Sequence, residues 1–312
     1  MTVTMRRYDL ATDYDTVDRF LVECFVPGNR IHAWLQPRWE YMHSHSNIET
    51  IRLEDIGIAE DDGTVLGVVH PEHSPAFVYL QIRPGHPNVV FPLLDWAEKY
   101  LGGWSESFQR EMLGIFVNDE RTATQVAERG FALDEYREAY ACIALTTPPP
   151  SPSMPGGYRI QSLAEDNDLS RINRVLWRGF NHEGPPPDAL IPSRRRAQQT
   201  PNYSLDLNVV AVSPNGDFAS YAGIWIEPKA KVAYVEPVAT DPDHRRRGLA
   251  AAVVVECLRR AHDLGAKMAW VGSEQDFYKA LGFEVTCVSN LWTKEPEPTP
   301  QPSKRQHQKG KT

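Results

Sequence analysis

The stretch EPVATDPDHRRRGLAAAVV, Glu236 to Val254, joins a strand-like segment to a helical one through three arginines and a glycine. The segment Val232–Val238 reads as a strand, with Pro237 near its end. Beyond the turn, Leu249, Val253, Cys257, Ala261 and Leu264 recur at helical spacing, and Gly265 supplies a stop. A glycine turn that opens a helix presents unpaired backbone N–H groups at the positive end of the helix dipole, a ready site for phosphate. Gly248 has no Cβ and Ala250 little more, so the backbone can approach an anion closely. Arg245, Arg246 and Arg247 add charge at the same point. The turn is therefore read as an anion site, for a pyrophosphate first, while the pattern alone would equally hold a nucleotide.

Pro237 extends that reading. In a central strand proline removes a ladder donor and is expected only at a bulge or an edge. A bulge here splays the strand from the next one, Lys267–Gly272. Splayed strands leave unpaired backbone groups in a cleft, where an extended amide-bearing ligand can pair as an added strand. A ligand with both a pyrophosphate and an extended diamide arm is coenzyme A.

The 312 residues suit two domains better than one, and 41% hydrophobic with 24% charged residues is ordinary for a folded soluble protein. A net charge of −8 argues against nucleic acid as a partner. Cys24, Cys142, Cys257 and Cys287 lie far apart without CxxC spacing, which speaks against a zinc site or a disulfide framework; no metal is expected. Thiols of this kind without a leader segment point to the cytoplasm, and no apolar run is long enough to span a bilayer. The proline-rich TTPPPSPSMPGG, Thr146–Gly157, reads as a linker between domains 1–145 and 158–293. From Lys294 onward the chain has no apolar periodicity, and 294–312 is expected to be a disordered tail.

Both sides of the linker share one order of elements: strand, two helices, a hairpin, a strand, a glycine-bearing turn, a helix, a strand, a short helix and closing strands. ERGFALDEY in the first half and ALGFEVTCV in the second mark the same point, a helix stopped by glycine. The chain reads as one architecture used twice.

The second half, Tyr158–Trp292, resembles a GCN5-related N-acetyltransferase (GNAT) domain. The pyrophosphate pattern Arg/Gln-x-x-Gly-x-Gly/Ala stands as Arg245-Arg246-Arg247-Gly248-Leu249-Ala250, and the later aromatic-Tyr-x-x-Leu-Gly-Phe pattern as Phe277 to Phe283. The two in this order, one helix and one strand apart, are specific together. The whole chain resembles tandem GNAT proteins. This resemblance implies an α/β fold in which each half is a mixed, mostly antiparallel twisted sheet flanked by helices, with acetyl-CoA as cosubstrate. It implies that the backbones of Val238 and Thr240 pair with the pantetheine arm and that the amides from Arg245 through Arg246, Arg247, Gly248 and Leu249 to Ala250 hold the pyrophosphate. Tyr278 stands where many members place the acid for the departing thiolate, and Glu236 where several place a general base. The asparagine that many members carry before the final helix is absent. In VGSEQD, Ser273 and Gln275 are the neutral polar residues near the thiol position.

The first half departs further. Its turn, QIRPGHPNVVF, keeps Arg83, Gly85 and His86 without the spacing, puts Pro87 where an amide is wanted, and TQVAERGF lacks the tyrosine. It is expected to retain the fold around a degenerate acetyl-CoA site. The function these features imply is acetyl transfer to an amine, free or on a peptide, by direct attack, in a monomer or homodimer. Cys257 and Cys287 are read as core residues rather than nucleophiles. Rivals are a non-catalytic CoA-binding or ligand-sensing protein and a nucleic-acid binder using the arginines and the basic tail. For the acceptor, Trp177, His182, Glu183 and Trp292 are possible contributors without a motif to support them.

Overall fold

A computed structural model describes residues 2–25 and 34–295. The first half runs β1 (Thr4–Arg7), α1 (Leu10–Cys24), α2 (Gln36–Ser44), β2 (Gly57–Asp61), β3 (Thr64–Pro71), β4 (Phe77–Ile82), α3 (Val90–Tyr100), β5 (Gly103–Ser105), β6 (Arg110–Val117), α4 (Glu120–Glu128) and β7 (Ala132–Ala144). The second runs β8 (Arg159–Ser162), α5 (Leu169–Gly179), α6 (Ile191–Ala197), β9 (Asn208–Val212), β10 (Phe218–Glu227), β11 (Val232–Thr240), α7 (Leu249–Asp263), β12 (Met268–Val271), α8 (Asp276–Ala280) and β13 (Glu284–Lys294). The predicted order of elements holds in the second half, and in the first apart from the added short strand β5.

The sheets of the two halves are continuous. Among the described residues one sheet runs β1-β2-β3-β4-β6-β13-β7-β12-β11-β10-β9-β8, with β5 paired to β6. The last strand of each half has crossed to the other: β13 pairs with β6, and β7 pairs with β12. The two crossed strands then pair with each other over most of their length. All neighbours are antiparallel except β4–β6 and β11–β12, which are parallel. Those two parallel pairs occupy equivalent places in the two halves.

The crossing carries side chains with it. Leu291 of β13 is fully buried among Phe20, Trp39, Met42 and Met112 of the first half. In return, Ala141 of β7 and Leu145 just beyond it lie in the core that α7 forms with β9–β12. A helix or sheet face that is apolar must be covered, and here each half covers part of the other's. Strand β13 also runs one residue into the segment read as tail. Lys294 pairs opposite Leu113 and binds Glu98 at 2.7 Å. Residues 296–312 of that segment lie outside the described residues.

Candidate functional site

The site begins at a bulge. Strand β10 faces β11 with Ala222 opposite Val238 and Ile224 opposite Val235, so Glu236 and Pro237 together oppose Gly223. Only glycine fits there: a Cβ on Gly223 would lie 2.8 Å from the Glu236 carbonyl oxygen and 2.6 Å from Asn208 Oδ1. The Trp225 indole N–H donates to the same Glu236 carbonyl at 2.9 Å, which fixes the bulge. On its other side β11 pairs with β12 only from Val232 to Tyr234. Beyond Tyr234 the strands part, as Pro237 predicts.

Strand alternation settles which groups face the gap. The Ala239 carbonyl accepts from Ser220 Oγ at 3.1 Å and the Asp241 N–H donates to the Ala219 carbonyl at 3.0 Å, so both point toward β10. The backbone groups of Val238 and Thr240 therefore point the opposite way, into the parting. One residue beyond β11, the buried Asp241 takes Arg178 at 2.7 Å and Arg174 at 3.1 Å from α5. It also accepts from the Asp243 N–H at 3.1 Å. Burial opposes its charge, yet the bonds from Arg178 and Asp243 hold its carboxyl below the ordinary 3.8. Asp241 thus ties the arginine turn to α5, a role that sequence reading missed.

At the turn, Gly248 is the residue before α7 and adopts φ = 78°, the left-handed region that glycine tolerates. The first amides of α7 have no preceding turn to bond and face outward. Arg246, Arg247 and Gly248 are exposed, and Arg246 and Arg247 form no ion pair among the described residues. The Arg245 side chain is used differently from what the motif suggested. It folds back to the Thr240 carbonyl at 3.1 Å, the Gly179 carbonyl at 2.9 Å and Asn181 Oδ1 at 2.8 Å, so it braces the turn.

Glu236 and Tyr278 lie near the parting. Tyr278 packs against Phe277 and Phe283 and is 8% exposed. Burial, helped by the charge of Glu236, pushes its pKa up to about 12. Glu236 is half-buried beside a cavity of about 350 Å³ whose walls come from both halves: Arg38, Glu72, Glu138 and Tyr140 from the first, Tyr234 and Ser273 from the second. Burial and the nearby charge of Glu72 push the Glu236 carboxyl up to about 7, against the pull of Arg38 and a hydrogen bond from Tyr234. Arg38 is itself buried. It donates from Nε to Glu72 at 2.7 Å, holds the other Glu72 oxygen and the Tyr140 hydroxyl, and lies 4.0 Å over the Trp34 ring.

Ser273 borders this cavity and accepts from the Gln275 N–H at 3.2 Å at the start of α8. Of the residues offered for the acceptor, none lines it. Trp177 and His182 stack on each other at 4.3 Å on the surface, Glu183 is exposed, and Trp292 packs in the first half's core. Arg38, Glu72 and Glu138 carried no local signal, because only the tertiary fold brings them to Glu236. Cys257 is buried, with its thiol directed at the Ala222 carbonyl, 3.3 Å away. Among the described residues no group of three or more His, Cys, Asp or Glu side chains could hold a metal ion, and no helix is long and apolar enough to cross a membrane.

The first half keeps a similar parting, followed by a turn that lacks one amide. Strand β4 pairs with β6 from Phe77 to Tyr79 and then diverges, leaving a cavity of about 340 Å³ bordered by Arg83, Gly85, His86 and Asn118. Pro87 begins the following turn and so removes one N–H from it.

Two parted parallel strands, each followed by a turn into a helix and each in a half of the same element order apart from the extra β5, define a tandem GNAT fold. Residues 170–283, within the second half, match the acetyltransferase (GNAT) family. The chain is similar over its whole length to a tandem GNAT protein from the clavulanic acid biosynthesis pathway, with TM-score 0.64, 15% identity, and 96% of this chain and 100% of that one covered. It is likewise similar to a GCN5-related N-acetyltransferase from Sphaerobacter thermophilus, with TM-score 0.62, 16% identity, and coverage of 95% and 96%. A curated relative, an uncharacterized N-acetyltransferase of Methanocaldococcus jannaschii, is 36% identical over 76 residues, which are 22% of this chain and 34% of that protein. The chain thus spans about a third of that relative's length.

Proposed function

We propose that the chain is an acetyl-CoA-dependent N-acetyltransferase whose donor site lies in the second half, 158–293, while the first half is a GNAT-like domain with a degenerate donor site. The observation that carries this is the single opening between β11 and β12. Backbone groups of Val238 and the Thr240 N–H face it, the α7 amides lie at its end, and the Glu236 carboxyl stands beside it. The pantetheine arm pairs with Val238 and Thr240, and the amides from Arg245 to Ala250 take the pyrophosphate. Ser273 lies near the thiol end.

The acceptor amine arrives mostly as ammonium. Glu236, with its pKa near 7, accepts its proton directly or through a water. The amine nitrogen forms a bond to the acetyl carbonyl carbon, and the Val238 N–H on the bulged strand faces the oxyanion. As the C–S bond breaks, the electron pair leaves with sulfur, and the extra proton still on nitrogen passes to the thiolate through solvent, giving the neutral amide and CoA thiol. Tyr278 donates a hydrogen bond to that thiolate. A phenol held near 12 gives up its proton to a thiolate of about 8.5 only uphill, so hydrogen bonding rather than full transfer is its main contribution.

The test is release of CoA thiol from acetyl-CoA with a panel of amines, paired with calorimetric acetyl-CoA binding to the native chain and to Gly248→Val. A β-branched residue at φ = 78° is strained and crowds the anion, so binding is expected to fall by at least about tenfold. Undiminished binding by the variant would place the donor elsewhere. Binding without turnover of any amine would favour the ligand-sensing alternative.

A further inference from the structure

The cavity beside Glu236 continues into the first half. Glu72, His73, Tyr136 and Glu138 line both it and a second cavity of about 110 Å³. The walls of that smaller space are mostly aromatic, with Phe77, Tyr79, Phe108 and Phe116. Tyr136 closes it, its ring centroid 6.2 Å from Phe108 and 6.1 Å from Phe116. The two spaces share one wall and make a two-part chamber, in which Glu236 lines the larger part and the aromatic box is the smaller.

The charges around the chamber do not balance. The carboxylates of Glu72, Glu138, Glu236 and Glu274 face the guanidinium groups of Arg38 and Arg137, with His73 on the shared wall. Arg137 is engaged at the rim by Glu274, at 3.0 Å. Arg38 is engaged chiefly by Glu72 and reaches Glu138 only at 3.7 Å. Glu138 otherwise accepts from two phenols, Tyr79 at 2.8 Å and Tyr140 at 2.5 Å. Glu138 and Glu236 are thus left without a cation of their own in a partly dehydrated space, where a positive ligand group is favoured. Aromatic faces beside Glu138 attract a cation as well.

We infer that the acyl acceptor is an elongated dicationic primary amine, with its reacting nitrogen at Glu236 and its second ammonium between Glu138 and the aromatic wall of Tyr136, Phe108 and Phe116. This rests on the acetyl-transfer reading above and assigns the first half the job of selecting the acceptor. A monoamine with an aryl end fills the same box and leaves Glu138 uncompensated.

The experiment compares kcat/KM for putrescine and cadaverine with butylamine, pentylamine and phenethylamine, and measures binding of the two diamines by calorimetry. Both are done on the full chain, native and as Glu138→Gln and Tyr136→Ala. Tyr136 is 50% exposed, so its truncation spares the core. The diamines are expected to exceed the monoamines by at least about tenfold, the scale of a charged hydrogen bond. Glu138→Gln should bring that ratio near one, and Tyr136→Ala should lower it a few-fold. Equal kcat/KM for butylamine or phenethylamine, or a ratio that survives Glu138→Gln, overturns the inference. If no amine is acetylated while the diamines bind in a Glu138-dependent way, the acetyl-transfer reading fails and the assigned ligand class stands. If the diamines neither bind nor react, the ligand class falls.

Discussion

Replacing Glu236 with glutamine should make the protein more stable and less active, and the first effect should depend on pH. The Glu236 carboxyl is held at about 7 in the fold against an ordinary 4.5, because it is buried and faces Glu72 and Glu138. The folded chain therefore keeps a proton that the unfolded chain has already lost. Its stability must fall as pH rises from about 4.5 to about 7, and the loss is complete above that. A rise of this size corresponds to about 3 kcal/mol, an upper bound since water reaches part of the side chain. Glutamine has no charge to desolvate. The variant should match the native chain at pH 5 and exceed it at pH 8 by up to about 3 kcal/mol. At roughly 2 °C per kcal/mol, the gain in Tm at pH 8 is up to about 6 °C. Scanning calorimetry of both proteins across that range reads the difference directly. The same substitution removes the base, so kcat should fall about 10²–10⁴-fold. The native kcat/KM should lose about tenfold per pH unit below 7, and the variant should lack that limb. Equal Tm differences at pH 5 and pH 8 would refute the burial argument. An acidic limb near 7 that persists in the variant would assign the base to another group.

Tyr278→Phe should lower kcat about ten- to hundredfold with acetyl-CoA affinity little altered, the cost of one hydrogen bond to a charged sulfur; a change under threefold would make the tyrosine packing alone. Asp241→Asn should cost about 2–3 kcal/mol in denaturant unfolding and weaken acetyl-CoA binding, because Arg174 and Arg178 lose the carboxylate that ties the turn to α5. The stability that Asp241 supplies should be present above pH 4 and fade as pH falls through its lowered pKa, so the variant and native curves should converge in acid. Leu291→Ala, in the last strand, should cost about 2–5 kcal/mol, and hydrogen exchange should rise in β6 and α2 of the first half rather than only in the second.

The fold was legible because its signals are local. Apolar spacing in Leu249–Leu264, the glycine stops, and Pro237 in a strand each report on their own neighbourhood, and each element formed where its pattern stands. The residues proposed for the donor side could be picked out for the same reason: Glu236, Val238, Thr240 and Gly248 lie within 13 residues. The acceptor side was not. Arg38, Glu72 and Glu138 reach Glu236 from α2, the bend after β3 and β7 of the other half, and each alone is an ordinary charge. The crossing of β7 and β13 was also invisible. Both follow a short helix stopped by glycine and both are long, so nothing local says which sheet either one closes.

That crossing bears on how the chain leaves the ribosome. Strand β6 waits for β13, whose last residue is Lys294, so the first half stays unfinished until the second half has been made as well. In the interval β6 presents an open edge, the template on which chains pair wrongly. A fragment ending near residue 145 would carry the same edge permanently, together with a β7 strand that has lost β12 and β13. Such a fragment is a donor and an acceptor for strand exchange with its own copies. The two halves, alike enough to read as a duplication, are no longer interchangeable parts: gene truncations and half-swaps among tandem relatives should give aggregates, while circular joins that keep β7 and β13 side by side should fold.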